Sequence, residues 1–413
     1  MSKQLLIAGG GIGGMAAALA TARAGWQVQV LERASALAEV GAGIQLGPNV
    51  TRVLHAWGLG QALAAVAAFP ERLSVRDALS GAELGALPLG ARMQTRYGAP
   101  YVTIHRADLL NLLHAAAVAQ PGVQIHLGQT LARHEPAEAA QASGAGAMPG
   151  VAVHTESGQT LQAAALVGAD GVWSRVRAQL LHDGPPRVSG HLAWRTLLRQ
   201  AALPAALRSQ HVTAWLGPRL HAVQYPVRQG EWLNLVVITE GAPPADLAGW
   251  DHYANTAELA RHLAPLCAPL RDLAAAAPQA RVNEHAWRLW PLCDRPPLSG
   301  PGQQAQGRVA LLGDAAHPMR PYLAQGAGMA IEDAAELGRC LAGAGPADDV
   351  PARLHAYANA RWARCARVQA RAIRNGQLFH ATGPVRLGRD AAMRALGARV
   401  LDVPWLYSGG PAA

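Results

Sequence analysis

The chain has 413 residues, half of them hydrophobic, with a formal net charge of +9. That length supports two domains, or one large domain with an insertion, around a substantial core. No stretch reaches the roughly 18 uninterrupted apolar residues of a membrane-spanning helix, so no membrane partner is expected. The positive charge is almost wholly arginine, with Lys3 the only lysine. It is scattered, without a basic run or interleaved aromatics, so no nucleic-acid partner is indicated. Such a field would still favour an anionic substrate and cofactor. The four cysteines, Cys267, Cys293, Cys340 and Cys365, are widely spaced with no CxxC. Neither a disulfide framework nor a metal site follows from them, and reduced thiols in a cytoplasmic protein fit best.

Residues 5–8 are an apolar run that leads into Gly9-Gly10-Gly11-Ile12-Gly13-Gly14. An Ala-rich stretch to Gly25 and a second apolar run, 28–31, end at Glu32-Arg33. The pattern predicts strand, glycine turn, helix, strand, acid. Gly9 permits the tight turn, Gly11 lets backbone approach a pyrophosphate, and Gly14 lets the helix pack on the strand. Phosphates would sit on the helix N-terminus, and Glu32 is placed to accept from a ribose hydroxyl. A secretory signal is disfavoured, because the glycines would break its helical segment and the chain reads straight on to Glu32.

Residues 40–49 read as a Gly/Pro loop where backbone passes close to something, with a helix at roughly 50–58. Strands are expected over 72–104, and a helix opens at 105–110. Arg106 in its first turn opposes the helix dipole, which favours a ligand-facing role. A strand at 123–127 follows, then a loose loop over 134–149. A hairpin (151–154 and 159–167) delivers Gly168-Ala169-Asp170-Gly171, with Ser174 as N-cap and Asp170 at the strand's C-terminal edge, where α/β folds bind ligands. Residues 188–240 are strand-like, and there His221, Val223 and Tyr225 share one face. Helical pieces lie between about 255 and 277, and a strand near 286–290. A buried strand at 308–312 ends in Gly313-Asp314, and Asp314 could take a sugar hydroxyl. Gly326-Ala327-Gly328 then opens an amphipathic helix whose first N–H groups can stabilise an anion. A long helix is expected at 351–375, with the tail as a cap.

Taken together, Gly9–Gly14 with Glu32, the Gly168–Gly171 motif with Ser174 and Arg177, and Gly313-Asp314-Ala315-Ala316-His317-Pro318 resemble the single-component FAD-dependent aromatic hydroxylases. That group includes salicylate hydroxylase, 3-hydroxybenzoate 6-hydroxylase and 6-hydroxynicotinate 3-monooxygenase. The resemblance covers nearly the whole chain. It implies an α/β fold in which a Rossmann-like FAD-binding domain (1–71, 100–178 and 280–350) is interleaved with a mostly antiparallel β-sheet substrate domain (72–99 and 179–279), followed by a helical region (351–413). It further implies FAD as cofactor, NADH or NADPH as co-substrate, and O₂ with a small aromatic acid as the reacting partners. A homodimer is compatible with it.

By the same resemblance, Glu32 binds the adenosine ribose, Gly11 and Gly14 approach the pyrophosphate, and Arg106 contacts the phosphate or ribityl region. Asp314 holds the ribityl chain, and Gly326, Ala327 and Gly328 lie at the pyrimidine edge. Asp170 belongs to the motif assigned to both FAD and reduced nicotinamide. Arg33, Gly43, Ile44 and Leu131 complete the expected cofactor set. The implied chemistry is flavin reduction, formation of a C4a-hydroperoxide with O₂ and oxygen transfer to a phenolate ring, which asks for a base at the phenol and for exclusion of water. His221 and Tyr225, four residues apart, are the expected polar pair; the alternative is two ordinary sheet residues. Gln45, Arg195, Arg320, Pro321 and Tyr322 are candidate substrate contacts, with Arg195 or Arg320 pairing a carboxylate. His317 reads as shaping its loop. Two other readings are a larger apolar ring as substrate, and a flavin-binding protein that is not an oxygenase.

Overall fold

The computed structural model describes residues 3–37, 42–137, 150–249, 252–253, 256–277, 287–343 and 349–411. Its first layer is a six-stranded sheet, ordered Ala305–Gln306, Val309–Leu311, Ala165–Gly168, Gln4–Ala8, Gln27–Glu32, Val123–Leu127. Every pair in it is parallel except the short edge strand 305–306. The strands Gln4–Ala8, Ala165–Gly168 and Val309–Leu311 are nearly continuous apolar runs because helices bury the middle of the sheet. The crossover helix Ile12–Arg23 is Ala-rich, and this lets it cross the helix Gly326–Leu341 closely: an added Cβ at Gly338 would stand 2.9 Å from the Ala20 carbonyl oxygen.

The second layer is an eight-stranded sheet, ordered His252–Tyr253, Arg288–Asp294, Arg187–Arg199, Trp232–Glu240, Leu220–Val227, Val212–Gly217, Arg72–Asp77, Glu83–Pro88. It is antiparallel except where 212–217 meets 72–77. A three-stranded meander, Leu131–Ala137, Gly150–Thr155 and Thr160–Ala163, flanks the first sheet. The fold is thus mixed α/β with a helical C-terminal region. One helix, Val350–Phe379, runs 30 residues, about 45 Å. Three shorter ones follow, Gly383–Leu396, Ala398–Leu401 and Pro404–Tyr407.

Several expectations need correction. The stretch 72–104 is not all strand: Gly90–Tyr97 is a helix that buries Met93 and Tyr97, one turn apart, and ends on Gly98 in the left-handed region. The expected loop at 134–149 begins as strand through Ala137, since it pairs with Gly150–Thr155; residues 138–149 lie outside the described set. Within the expected 40–49 loop, Gly43–Leu46 is a strand paired with Val102–His105, and the helix starts at Pro48; residues 40–41 lie outside the described set. Strand Arg288–Asp294 hydrogen-bonds into the second sheet, although 280–350 was expected on the cofactor side.

Candidate active site

A cavity of about 1260 Å³ runs from the C-terminal edge of the parallel sheet to one face of the antiparallel sheet. At the first end its wall includes Gly9, Gly10, Gly11, Gly13, Glu32, Arg33 and Asp314. Gly9 holds φ +104°, and an added Cβ there would stand 2.4 Å from the Ala169 carbonyl oxygen, so only glycine closes this turn. An added Cβ on Gly11 would meet nothing within 4 Å, which leaves its cavity face open. Glu32 accepts from the Gly10 amide at 2.6 Å and the Ala34 amide at 2.8 Å, which fixes the acid at the strand end.

Asp170 is more internally committed than its motif suggests. Its carboxylate accepts from Ser174 Oγ at 2.5 Å and from the amides of Arg175 and Val176 at 2.8 and 3.2 Å. Burial raises its pKa, and those donors counter the rise. Ser174 in turn caps the next helix through the Arg177 amide. Arg177 ties that helix to the Gly313 turn by donating to the carbonyls of Ala315 and Ala316 at 3.2 and 2.5 Å.

Asp314 opens to the cavity beside this turn, with burial raising its carboxyl pKa while Arg106 and His317 oppose the rise. Beneath the turn Asp333 accepts from the Gly313 amide (3.1 Å), His317 Nε2 (2.5 Å) and Arg361 Nε (2.7 Å). Burial would raise the Asp333 pKa, yet His317 and Arg361 bring it down to about 2. Glu332, fully buried, accepts from Arg361, Arg364 and Asn49. His317 is therefore a buried support of the turn and not a cavity residue.

An adenine dinucleotide fits this end. Glycine-lined backbone, uncapped first-turn amides at Ile12 and Gly326, an acid at the second strand and a cavity-facing Asp314 supply the contacts such a cofactor needs.

The far end is built by sheet register. Arg195 pairs Val236, which pairs Val223; Ala193 pairs Ile238, which pairs His221; and Tyr225 pairs Asn234. Arg195, Val236, Val223, Ile238, His221 and Tyr225 all face the cavity, as the period of two requires. The Arg195 guanidinium lies 3.7 Å from the Trp290 ring centroid, and its Nε has no hydrogen-bond partner among the described residues. Burial lowers its pKa to about 10, which leaves it cationic at neutral pH.

His221 Nδ1 lies 2.8 Å from His380 Nε2, and burial, with His380 and His191 nearby, holds its pKa well below the usual histidine value. His191 pairs with the Tyr322 hydroxyl and stacks on His380. Burial pushes the Tyr322 phenol up. The Tyr225 hydroxyl donates to the Gly43 carbonyl at 2.6 Å, and the Gly43 amide donates to Asn234 Oδ1 at 2.8 Å. Any substrate contact with Tyr225 would therefore use the hydroxyl as acceptor.

Of the residues expected from the sequence, Gly11, Glu32, Arg33, Gly43, Ile44, Gln45, Arg106, Leu131, Asp170, Arg195, His221, Tyr225, Asp314, Pro321, Tyr322, Gly326 and Ala327 all line this one cavity. Three are not in its wall. Gly14 is buried, and an added Cβ would stand 1.9 Å from the Gly9 carbonyl oxygen, so it serves helix packing and not pyrophosphate approach. Gly328 packs against Val50 and Gln325. Arg320 is held by Asp294 at 2.6 Å, outside the chamber. Reading the sequence missed His191, Glu240 and His380. Alternation back from Arg195 puts His191 on the same strand face, but nothing local marks His380, 159 residues from its partner.

Comparison with known proteins agrees with this geometry. The FAD binding domain family model matches residues 2–279 and 302–372. A 3-hydroxybenzoate 6-hydroxylase of Polaromonas naphthalenivorans is 37% identical over 98% of this chain and 95% of its own length. A 3-amino-4-hydroxybenzoate 2-monooxygenase of Streptomyces platensis is also 37% identical, over 98% and 95%. Among solved structures, a salicylate hydroxylase substrate complex superposes with a TM-score of 0.77 at 25% identity, covering 100% of this chain and 99% of that one. The chain belongs to the FAD-binding-domain family, among its FAD-dependent aromatic hydroxylases.

Proposed function

We propose that the chain hydroxylates a small phenolic carboxylic acid of the 3-hydroxybenzoate kind, with NADH or NADPH as reductant and O₂ as oxidant. The observation that carries this reading is Arg195, a cation aimed into the chamber with an unanswered Nε, on the same sheet face as the neutral His221. A substrate carboxylate answers the arginine, and a phenol hydroxyl answers the imidazole. Two relatives whose names specify hydroxybenzoates support this choice of acid.

FAD, when bound, supplies the two-electron chemistry that activates O₂ for transfer to the ring. The protein's part is to hold and to shape. Gly11 and the amides at Ile12 and Gly326 take the phosphates and the pyrimidine edge, Glu32 the ribose, Asp314 and Arg106 the ribityl region. His221, kept neutral by burial, accepts the phenol proton, because the phenolate is the better nucleophile toward an electrophilic oxygen. Val223, Val236, Ile238 and Phe379 keep water from the reacting ring. The free thiols suit a reducing cytoplasmic setting.

A second reading, a larger apolar ring, draws on the lining contributed by Leu73, Val75, Leu216, Met393 and Leu401. One panel separates the two. FAD-loaded enzyme is given NADH or NADPH with hydroxybenzoates, hydroxynicotinates and quinones in turn, while nicotinamide oxidation and O₂ uptake are followed. A phenolic acid should accelerate both rates together. If no phenolic acid accelerates them, the proposal fails; a response confined to quinones would establish the second reading.

A further inference from the structure

We infer that His221, His380 and Glu240 form a proton relay that carries the substrate's phenolic proton from the chamber to the protein surface. The inference rests on the phenol reading above and adds where the proton goes. His221 is 5% exposed and faces the cavity, with Nδ1 2.8 Å from His380 Nε2. One ring nitrogen of His221 is thus committed to His380, and the other remains for the substrate. His380 Nδ1 is buried without a hydrogen-bond partner among the described residues, and it lies 3.9 Å from Glu240 Oε1. The Glu240 side chain is 45% exposed. A single water or a small side-chain shift closes the last gap. Donor and acceptor atoms therefore run from the chamber toward solvent.

The surroundings fix this line and set how it works. His191 stacks on His380 with centroids 4.6 Å apart and planes 14° from parallel, and the Tyr322 hydroxyl anchors His191. Burial, then His191, Arg320 and Arg389, bring the His380 pKa down to about 3. Arg219, from the turn beside Glu240, places its Nε 3.9 Å from Glu240 Oε2, and its amide donates to the His380 carbonyl. Asp294 is occupied by Arg187 and Arg320. Burial disfavours the charged form of both rings, and Arg320 and Arg389 add to this at His380, so a proton accepted by His221 leaves as it arrives.

The step balances with both rings neutral. The phenol O–H bond breaks and an Nε2–H bond forms on His221. The His221 Nδ1 proton moves to His380 Nε2, and the His380 Nδ1 proton moves to the Glu240 carboxylate and on to solvent. The reverse hop, on reprotonation of the product, restores both tautomers. A metal ion on His191, Glu240 and His380 is a poorer account, although their ligand atoms lie within 4.8 Å of one another. Face-to-face rings send their nitrogen lone pairs side by side, whereas a metal needs them to converge at about 2 Å.

The test uses FAD-loaded enzyme and 3-hydroxy-4-nitrobenzoate, whose phenolate absorbs apart from its phenol, at a pH below the probe's own pKa. Stopped flow follows the phenolate band, and an indicator dye follows proton release. His380→Asn should slow both about a hundredfold, and Glu240→Gln should slow release about tenfold, with the flavin spectrum unchanged. Added imidazole should restore part of the rate in His380→Ala, which a merely structural role would not do. If His380→Asn fails to fold, the surface variant Glu240→Gln decides. Wild-type rates in the variants would overturn the relay alone. A wild-type enzyme that neither binds nor ionises the probe would overturn the phenol reading and the relay with it.

Discussion

The two ends of the cavity handle buried polarity in opposite ways. Under the Gly313 turn, Glu332 and Asp333 are answered by Arg361, Arg364 and His317, so charge there is neutralised inside the protein. Around the sheet face, His191, His221 and His380 are held uncharged, while Arg195 Nε, in the chamber wall, lacks a hydrogen-bond partner among the described residues. The first arrangement pairs its charges without a small molecule and serves to hold a turn, although His317 Nδ1 and Asn49 Oδ1 lack hydrogen-bond partners among the described residues. The second is completed by whatever enters. Buried polar groups are normally satisfied, so unanswered ones in a chamber wall point to the ligand's own chemistry.

The largest test of this contrast is at the satisfied end. Asp333→Asn leaves the buried Arg361 and His317 short of a counter-charge, and should cost about 3–5 kcal/mol in urea unfolding, with FAD released early. A loss below 1 kcal/mol would show that the network is dispensable. At the unsatisfied end the same kind of change should spare the fold. Arg195→Leu removes a cation held by the Trp290 ring and by no salt bridge among the described residues, so unfolding free energy should fall by about 1 kcal/mol at most. The KM for a phenolic acid should rise roughly a hundredfold, equivalent to about 2–3 kcal/mol of a charge-assisted contact. An unchanged KM would remove Arg195 from recognition.

The smallest effect is the pH response. His380, at about 3 when folded, has an ordinary value of about 6.5 when unfolded, so the unfolded chain binds a proton that the folded chain refuses. Its stability contribution is full above pH 6.5 and falls below it, by about 2 kcal/mol at pH 5. Asp333 holds out longer in acid, since its contribution declines only from about pH 4 toward its folded value of about 2. His317 behaves inversely: burial opposes its charge, but Cys365 and Asp333 raise its pKa well above 6.5, so its contribution is intact in acid and is lost as alkali removes the proton. Urea unfolding of wild type and His380→Asn at pH 7 and pH 5 checks this. Equal losses in the two proteins would contradict it.

The cofactor end was largely legible because it is written in short segments. Gly9–Gly14, Ser174 with Asp170, and Gly313-Asp314 each act within a few residues of themselves, and the structure puts Ser174 at a helix cap and Glu32 at a strand end. The alternation His221, Val223, Tyr225 likewise survives as one cavity face. What failed was tertiary. Arg320 looked available until Asp294, on a strand of the other sheet, claimed it. Residues 90–97 carry few apolar residues, and only the spacing of Met93 and Tyr97 betrays their helix. Tyr225 gives its proton to Gly43, across 182 residues, and no local pattern foretells that.

The helix Val350–Phe379 joins the two ends. Arg361 reaches Asp333 beneath the cofactor turn, and Asn375 donates to the Tyr322 carbonyl at the chamber. Fourteen residues separate them, about four turns, so both lie on one side of the rod roughly 21 Å apart. The chain thus carries an internal gauge: the distance from cofactor bed to chamber floor is set by helical pitch, not by loops. Side chains around the chamber can vary freely to suit new rings, but adding or deleting one residue between 361 and 375 would rotate the lower grip by about 100° and put the two ends out of phase.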